Sequence, residues 1–303
     1  MLWGRAIAPP LCCNRSMSTL TTPDGHTLHL MHWPAKGAVS TQGTVQIVHG
    51  LGEHIGRYAP LAAQLNAAGW HVLGHDHWGH GRSGGARGGL PADACLLRDL
   101  AAVRDHARCE GRVVLLGHSL GGLVAARFVA EDLAATPAPW ARGVDGLVLS
   151  SPALDIGLGA LQRALLGALE PLAPGLPLGN GLKPEWVCSD PAVVQAYVND
   201  PLVHKRVTPR LVRFMVDAAE LVQARAPLWR VPTLLQWAGA DRCVRPAGSQ
   251  AFAAAAPGSV LSAQPLAGFA HEIYNEPGRE QAFARLRRWL AQFEVQNQAG
   301  RAA

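Results

Sequence analysis

The chain has 303 residues, of which 49% are hydrophobic, and its formal net charge is +5 at pH 7. This length is enough for one large α/β domain that carries an insertion. Nearly all of the positive charge comes from scattered arginines, and the densest group is Arg285, Arg287 and Arg288. Because a solvated helix face explains that group, we expect no nucleic-acid-binding surface.

The six cysteines form no C-x-x-C pair and no regular spacing, which favours a reduced, cytoplasmic compartment. The N-terminal residues are interrupted by Pro9 and Pro10 and lead to no small-residue cleavage site, so they make a poor signal peptide. We expect residues 1–21 to be a disordered extension, with Met17 as an alternative start. The sequence contains no run of about 18 apolar residues, so we expect no membrane span.

Short apolar strands alternate with helices along most of the chain. Strands are predicted over residues 27–33, 44–48, 70–73, 113–116, 145–149, 233–237 and 260–265. Helices are predicted over residues 58–68, 92–108, 123–130, 247–256 and 277–296. This alternation predicts an α/β fold with a mainly parallel sheet that helices cover on both faces.

Residues 153–230 interrupt the alternation, and no strand is predicted within them. The segment consists of an apolar helix over 158–172, a Pro/Gly-rich stretch over 174–184, and helices over 191–199 and 209–225. We expect both of its junctions at the carboxyl edge of the sheet, where ligands bind. The segment is therefore interpreted as a helical cap, inserted into a core formed by residues 22–152 and 231–298.

The stretch RVVLLGHSLGG at residues 112–122 gives the strongest chemical signal in the chain. A short apolar run leads into G-x-S-x-G and then into an apolar helix, which is the context of a nucleophile elbow. Side chains at Gly117 and Gly121 would collide with the strand and the helix that flank so sharp a turn. The turn therefore exposes the Ser119 hydroxyl and places the Leu120 N–H at a helix N-terminus, where an oxyanion would be stabilised.

Two later residues complete a catalytic set with Ser119. Asp241 follows the strand predicted at 233–237, and His271 follows the last predicted strand. Ser, acid, His is the chain order of the α/β-hydrolase class. In this interpretation His271 is the general base and Asp241 orients its ring. A turn aspartate and a loop histidine without a role are the alternatives, and the strand-end positions argue against both.

An oxyanion hole needs a second N–H donor besides Leu120. The glycine-rich sequence HGLG at residues 49–52 follows the strand predicted at 44–48. Because glycines let backbone amides approach a substrate closely, we predict that the Leu51 N–H is this donor.

The histidines at positions 75, 77 and 80, with Asp76 between the first two, raise the possibility of a metal site. Metal ligands must converge on one point, and usually a second cluster downstream contributes to the set. No such cluster follows, since His106 and His204 stand alone in the sequence. We therefore expect a glycine-containing loop here, with no metal and no cofactor.

Four motifs together resemble the monoacylglycerol lipase and lysophospholipase family of α/β-hydrolases, which have a serine aminopeptidase S33-type hydrolase domain. They are HGLGEH with RY at 49–54 and 57–58, DHWGHGRS at 76–83, GHSLGG at 117–122, and HE with NE at 271–272 and 275–276. The resemblance extends from about residue 22 to residue 293. It implies the triad Ser119, Asp241 and His271, with oxyanion donors Leu51 and Leu120.

The resemblance also implies features of substrate binding. It makes the insertion a cap over an acyl-binding channel and pairs Glu53 with Arg57 as a structural ion pair. The segment YVNDPL at 197–202 is similar to the family's cap segment whose tyrosine binds the glycerol head group, so Tyr197 is the matching residue. Tyr274 departs from the pattern, because vertebrate members carry a second histidine at this position.

These observations predict a serine hydrolase that cleaves lipid-like carboxylic esters, either monoacylglycerols or lysophospholipids. Leucines at 158, 161, 165, 166, 169 and 172 form a stripe on the first helix of the insertion. They either pack against the main domain or leave an apolar face that contacts lipid surfaces transiently. An acyltransferase, a prolyl aminopeptidase-type hydrolase and a non-catalytic binding protein on the same scaffold remain alternatives.

Overall fold

A computed structural model describes residues 17–35, 42–107 and 111–301 of the chain. Its main sheet contains β1 (Met17–Thr21), β2 (Thr27–Trp33), β3 (Gly43–Val48), β4 (His71–His75), β5 (Arg112–His118), β6 (Gly146–Ser150), β9 (Thr233–Ala238) and β10 (Leu261–Leu266). The cap contributes β7 (Leu178–Gly179) and β8 (Arg206–Val207). The helices are α1 (Ala59–Ala67), α2 (Cys95–Ala107), α3 (Leu120–Glu131), α4 (Ala160–Leu172), α5 (Pro191–Asn199), α6 (Pro209–Arg225), α7 (Pro246–Ala255) and α8 (Glu280–Arg301).

The eight strands follow the order β1-β2-β4-β3-β5-β6-β9-β10. The β1–β2 and β2–β4 pairs are antiparallel, and the other neighbours are parallel. This arrangement confirms the predicted α/β-hydrolase fold. No helix in the described part of the chain combines the length and the apolar character needed to cross a bilayer.

The central strands are apolar without interruption because both of their faces are covered. Leu115 of β5 belongs to the buried cluster shared with α2, α3 and α6. The adjacent Leu116 belongs to the cluster on the opposite face, which is shared with α1 and α8. Successive side chains of a strand point to opposite faces, so a doubly covered strand needs apolar residues at every position.

The fold begins earlier than the sequence analysis predicts. Met17–Thr21 pairs with β2 as the antiparallel edge strand, although residues 1–21 were expected to lie outside the core. Its side chains are exposed or half-buried, so this edge strand carries no apolar pattern that would identify it. Residues 1–16 of the predicted extension lie outside the described residues.

The expectation of a strand-free insertion was wrong. Leu178 and Gly179, which lie within the Pro/Gly-rich stretch, pair with Val207 and Arg206 as a two-stranded sheet. Two residues are too few to show the alternation of a strand. Main-chain hydrogen bonds, which depend little on the side chains, stabilise this pairing.

The second junction of the insertion was also misplaced. Helix α6 packs against α3 in the main core, where Leu211, Phe214 and Met215 are buried. It carries the chain back to the amino end of β9, which is the edge of the sheet opposite Ser119. The buried apolar face of α6 makes it a covering helix of the sheet. We therefore propose that the cap is narrower than predicted and comprises residues 153–208.

Candidate active site

Ser119 lies between β5 and α3 in a backbone conformation that non-glycine residues rarely adopt, with φ 54° and ψ −121°. Its neighbours explain how the chain holds this turn. A Cβ atom on Gly117 would strike the Gly121 carbonyl, and one on Gly121 would strike the carbonyl of Val48 on β3. Side-chain-free positions on both sides let the strand, the serine and the helix approach this closely.

His271 and Asp241 meet at the same edge of the sheet. The His271 Nδ1 atom lies 2.7 Å from Asp241 Oδ2, and both side chains are almost fully buried. The other carboxylate oxygen accepts the N–H groups of Cys243 and Val244 at 2.8 and 3.1 Å. The carboxylate is thus fixed by the loop that follows β9, and it fixes the imidazole in turn.

The ionisation of this pair follows from its surroundings. Burial alone would lower the pKa of His271, but the Asp241 carboxylate stabilises the imidazolium and raises this pKa above the ordinary value. Burial alone would raise the pKa of Asp241, but His271 and the two amides hold this pKa below the ordinary value. The pair is therefore a carboxylate beside a histidine that takes up a proton readily.

Ser119 is adjacent to this pair. The preceding residue, His118, has its ring centroid 4.6 Å from that of His271. Within the described residues no hydrogen bond joins Ser119 Oγ to His271. Catalytic hydrogen bonds of this kind are often long in the absence of substrate and shorten when substrate binds.

Residues 49–53, which we call the oxyanion loop, lie directly against Ser119. A Cβ atom on Gly50 would be 3.2 Å from the Cβ of Ser119. The Gly50 N–H donates to Glu53 Oε1 at 2.7 Å, and the Gly50 carbonyl lies 2.8 Å from His49 Nδ1. Both polar groups of Gly50 are therefore engaged, whereas the Leu51 N–H donates to no acceptor within the described residues. The Leu120 N–H opens α3, where a helix has no internal acceptor for it.

The histidines near position 77 hold this loop in place. The His77 N–H donates to His49 Nε2 at 2.9 Å, and His77 Nε2 lies 3.0 Å from the His49 carbonyl. Asp76 accepts the N–H groups of Ile55 and Arg82, both at 2.7 Å. These hydrogen bonds fix the loops, whereas His77 Nδ1, His80 Nε2 and both ring nitrogens of His75 have no hydrogen-bond partner among the described residues.

Two groups in the described residues bring three metal-ligand atoms together, and the histidines near position 77 belong to neither. One is Asp241, Cys243 and His271, and the other is His26, Cys95 and Asp99. In the second, Asp99 lies 2.9 Å from His26 Nδ1 and accepts the Cys95 thiol at 3.4 Å. Hydrogen bonds within this group thus join its ligand atoms to one another.

A buried ion network stands behind the oxyanion loop. Arg57 pairs with Glu53, as the family resemblance implies, and also with Glu272 through two hydrogen bonds of 2.7 and 2.9 Å. Glu53 Oε1 additionally accepts the Tyr58 hydroxyl at 2.6 Å. The sequence analysis did not predict the contribution of Glu272, because 215 positions separate it from Arg57 in the chain.

A sequence profile described as serine aminopeptidase, S33 matches residues 39–278, which is most of the chain. A monoacylglycerol lipase from Mycolicibacterium smegmatis is 32% identical over 82% of this chain and 88% of its own length. The chain belongs to the monoacylglycerol lipase family of S33-type α/β-hydrolases.

Other relatives extend this comparison. Phospholipase YtpA from Bacillus subtilis is 32% identical over 86% of this chain and 98% of its own length. The crystal structure of Paleococcus ferrophilus monoacylglycerol lipase superposes with a TM-score of 0.77 and 31% identity, covering 88% of this chain and 99% of that one. An uncharacterized abhydrolase domain-containing protein from Dictyostelium discoideum is 30% identical over 91% of this chain, which spans 29% of that protein's length.

In this monoacylglycerol lipase family member, Tyr197 lies on the cap helix α5 and is buried. Its ring centroid is 4.8 Å from the Arg57 guanidinium, so the aromatic face covers the ion network. Burial raises the pKa of the Tyr197 hydroxyl, and the Glu53 carboxylate raises this pKa further. The tyrosine expected to bind a head group thus packs its ring against Arg57.

The middle of the cap is hydrogen-bonded to both active-site loops. The His204 N–H donates to the Gly52 carbonyl at 2.8 Å, and the Glu272 N–H donates to the Val187 carbonyl at 2.8 Å. His54 Nε2 lies 2.8 Å from Asp200 Oδ2. These hydrogen bonds therefore hold this part of the cap against both loops.

A cavity of about 30 Å³ lies behind His118 and Ser150, and the ion network forms one of its walls. Such a volume holds one or two water molecules. Tyr274 also lines it, but the Tyr274 hydroxyl donates to Gln236 Oε1 at 2.7 Å.

Proposed function

We propose that this protein is a serine hydrolase of lipid-like carboxylic esters, with monoacylglycerol as the preferred substrate and lysophospholipid as the second candidate. One observation carries the proposal: Ser119 occupies a strained elbow beside a buried His271–Asp241 pair. The relatives named as monoacylglycerol lipases and as a phospholipase support the lipid ester class.

In the proposed mechanism Ser119 Oγ attacks the ester carbonyl while His271 Nε2 takes the hydroxyl proton. The N–H groups of Leu51 and Leu120 stabilise the negative oxygen of the tetrahedral intermediate. The intermediate collapses, the ester bond breaks, and His271 returns the proton to the leaving alcohol. Water then attacks the acyl-enzyme by the same route, releasing the acid and regenerating Ser119.

The cap supports a substrate that is delivered from a lipid surface. On α4 only Leu166 is fully buried, whereas Leu161, Leu165 and Leu172 are 74%, 59% and 84% exposed. Core packing, the alternative explanation of the leucine stripe, does not account for this exposure. An exposed apolar helix face on the cap fits transient contact with a lipid aggregate.

Of the alternatives, an aminopeptidase has the least support. Recognition of a substrate amine needs a carboxylate free to bind it. Near Ser119, however, Glu53 and Glu272 are both paired with Arg57, and Asp200 is paired with His54. Acyl transfer to an alcohol would use the same residues as hydrolysis, so product analysis must distinguish these two reactions.

We also propose that the protein works in the cytoplasm. Cys95 and Cys188 are buried and free, and Cys243 is half-buried and free. Unpaired thiols fit a reducing compartment. Cell fractionation tests this, and recovery from a secreted or periplasmic fraction would contradict it.

Hydrolysis rates on monoacylglycerol, lysophosphatidylcholine and p-nitrophenyl esters of rising chain length test the substrate proposal. We expect the rate to rise with acyl length and to be highest for monoacylglycerol, because each buried methylene contributes about 0.8 kcal/mol. The Tyr197→Phe variant should lose activity on monoacylglycerol while retaining it on p-nitrophenyl esters, which have no glycerol. A rate that does not change with acyl length would contradict the binding of a long acyl chain. Equal losses of activity on both substrates in Tyr197→Phe would contradict the role of Tyr197 in binding glycerol.

A further inference from the structure

Arg57 lies where the oxyanion loop and the loop of the proposed base meet. It occupies the short 3-10 turn Ile55–Tyr58, and its guanidinium reaches Glu53 on one side and Glu272 on the other. The three side chains are 12%, 5% and 7% exposed, so this network is almost fully removed from water.

The two contacts differ in geometry. Arg57 binds Glu272 with a two-pronged contact, Nη1 to Oε1 at 2.7 Å and Nη2 to Oε2 at 2.9 Å, and Nη1 also reaches Glu53. A planar guanidinium fixes the orientation of a carboxylate that it binds through two parallel hydrogen bonds. Sharing one nitrogen between both carboxylates therefore fixes Glu53 and Glu272 relative to each other.

Each carboxylate is attached to one part of the proposed catalytic machinery. Glu53 accepts the Gly50 N–H at 2.7 Å and so holds the backbone immediately before Leu51. Glu272 directly follows His271, and its carboxylate also accepts the Asn275 amide at 2.8 Å. A continuous set of short contacts thus connects the proposed base to the proposed oxyanion donor.

We propose that Glu272 is a positioning residue, acting through Arg57 and Glu53 to hold the His271 imidazole and the Leu51 N–H at a fixed separation. This inference rests on the proposed ester hydrolysis. The base and the oxyanion donor act on the same reacting group, and a displacement of about 1 Å costs about 100-fold in rate.

The Glu272 charge has a second, separable effect on His271. The charged or titratable groups around the imidazole are Asp241, Glu272, Glu53, His118, Arg57 and Cys243. Burial alone would lower the pKa of His271, and the carboxylates, first Asp241 and then Glu272, raise it. Removing the Glu272 charge therefore lowers this pKa, so the base stays neutral, and the enzyme stays active, at lower pH than in the wild type.

Glu272→Ala and Glu272→Gln test the inference on a soluble short-chain p-nitrophenyl ester. For Glu272→Ala we expect kcat to fall by about 10- to 100-fold with KM nearly unchanged, because positioning acts on the reaction step. For Glu272→Gln, whose amide oxygen still accepts from Arg57, we expect a smaller loss of kcat. In both variants the acid limb of the kcat/KM profile should move to lower pH.

Glu131 provides the matched control, because it is a buried glutamate that pairs with Arg127 at 2.6 Å at the far end of α3. Glu131→Ala and Glu131→Gln should leave kcat and the acid limb unchanged, and thermal melting checks the folding of every variant. Unchanged kcat and an unshifted acid limb in Glu272→Gln would overturn the inference, as would equal losses in the Glu131 variants. A wild type without ester hydrolysis would instead contradict the proposed function.

Discussion

Asp241 is buried with an ionised carboxylate because three donors compensate its loss of water. It binds His271 through one oxygen and two backbone N–H groups through the other. Charge-assisted hydrogen bonds of this kind are stronger than neutral ones. Asp241 therefore favours the tautomer in which His271 Nδ1 carries the proton, and in the proposed mechanism Nε2 then accepts the proton of Ser119.

The substitution Asp241→Asn tests this role. The amide keeps the shape of the side chain but favours the wrong tautomer of His271, so we expect kcat to fall by about 10⁴-fold. Steady-state kinetics on a short ester measure the effect, and circular dichroism confirms that the variant is folded. A folded variant with nearly full activity would place the acid elsewhere.

Helix α4 leaves three large leucines, Leu161, Leu165 and Leu172, exposed to solvent. It packs against α6, and the Arg163–Glu220 ion pair at 2.7 Å joins the two helices. Exposed apolar patches of this kind mark interaction sites on protein surfaces. This exposure is consistent with a helix that meets a lipid surface while the hydrogen-bonded middle of the cap stays in place.

The double variant Leu161→Asp/Leu165→Asp should weaken binding to phosphatidylcholine vesicles. Each inserted leucine contributes about 1.5 to 3 kcal/mol, so we expect at least about a tenfold loss of vesicle partitioning. Activity on a water-soluble short ester should be unchanged. Vesicle co-sedimentation measures the partitioning.

Leu228→Asp is the control for that experiment, since Leu228 is similarly exposed, at 57%, but lies near the amino edge of the sheet. It should bind vesicles as the wild type does. If the α4 double variant binds vesicles as well as Leu228→Asp does, the proposed contact of α4 with a lipid surface is wrong.

At the scale of the whole molecule, the pattern of apolar residues predicted the central strands but not the short or exposed ones. The central strands were predictable because a strand buried on both faces must be apolar at successive positions, as at Val113 to Leu116. Their alternation with helices along the chain was predictable for the same reason. The edge strand at Met17–Thr21 and the short pairing of Leu178–Gly179 were not predictable, because their stability comes from main-chain hydrogen bonds that any side chains permit.

Some features of the candidate site could also be predicted from the sequence, and others could not. The positions of Ser119, Asp241 and His271 could be predicted because strand ends of a parallel sheet meet at one edge. The contact between Arg57 and Glu272 could not, because the sequence shows nothing that relates two residues so far apart. The packing of α6 against α3 was missed for a related reason, since an amphipathic helix does not reveal which surface it covers.

The central claim, that Ser119 is an activated nucleophile, is tested most directly by fluorophosphonate labelling followed by peptide mass spectrometry. We predict a single adduct on the peptide that contains Ser119, and loss of both the adduct and ester hydrolysis in a folded Ser119→Ala variant. Labelling of a different serine, with hydrolysis retained in Ser119→Ala, would contradict the claim.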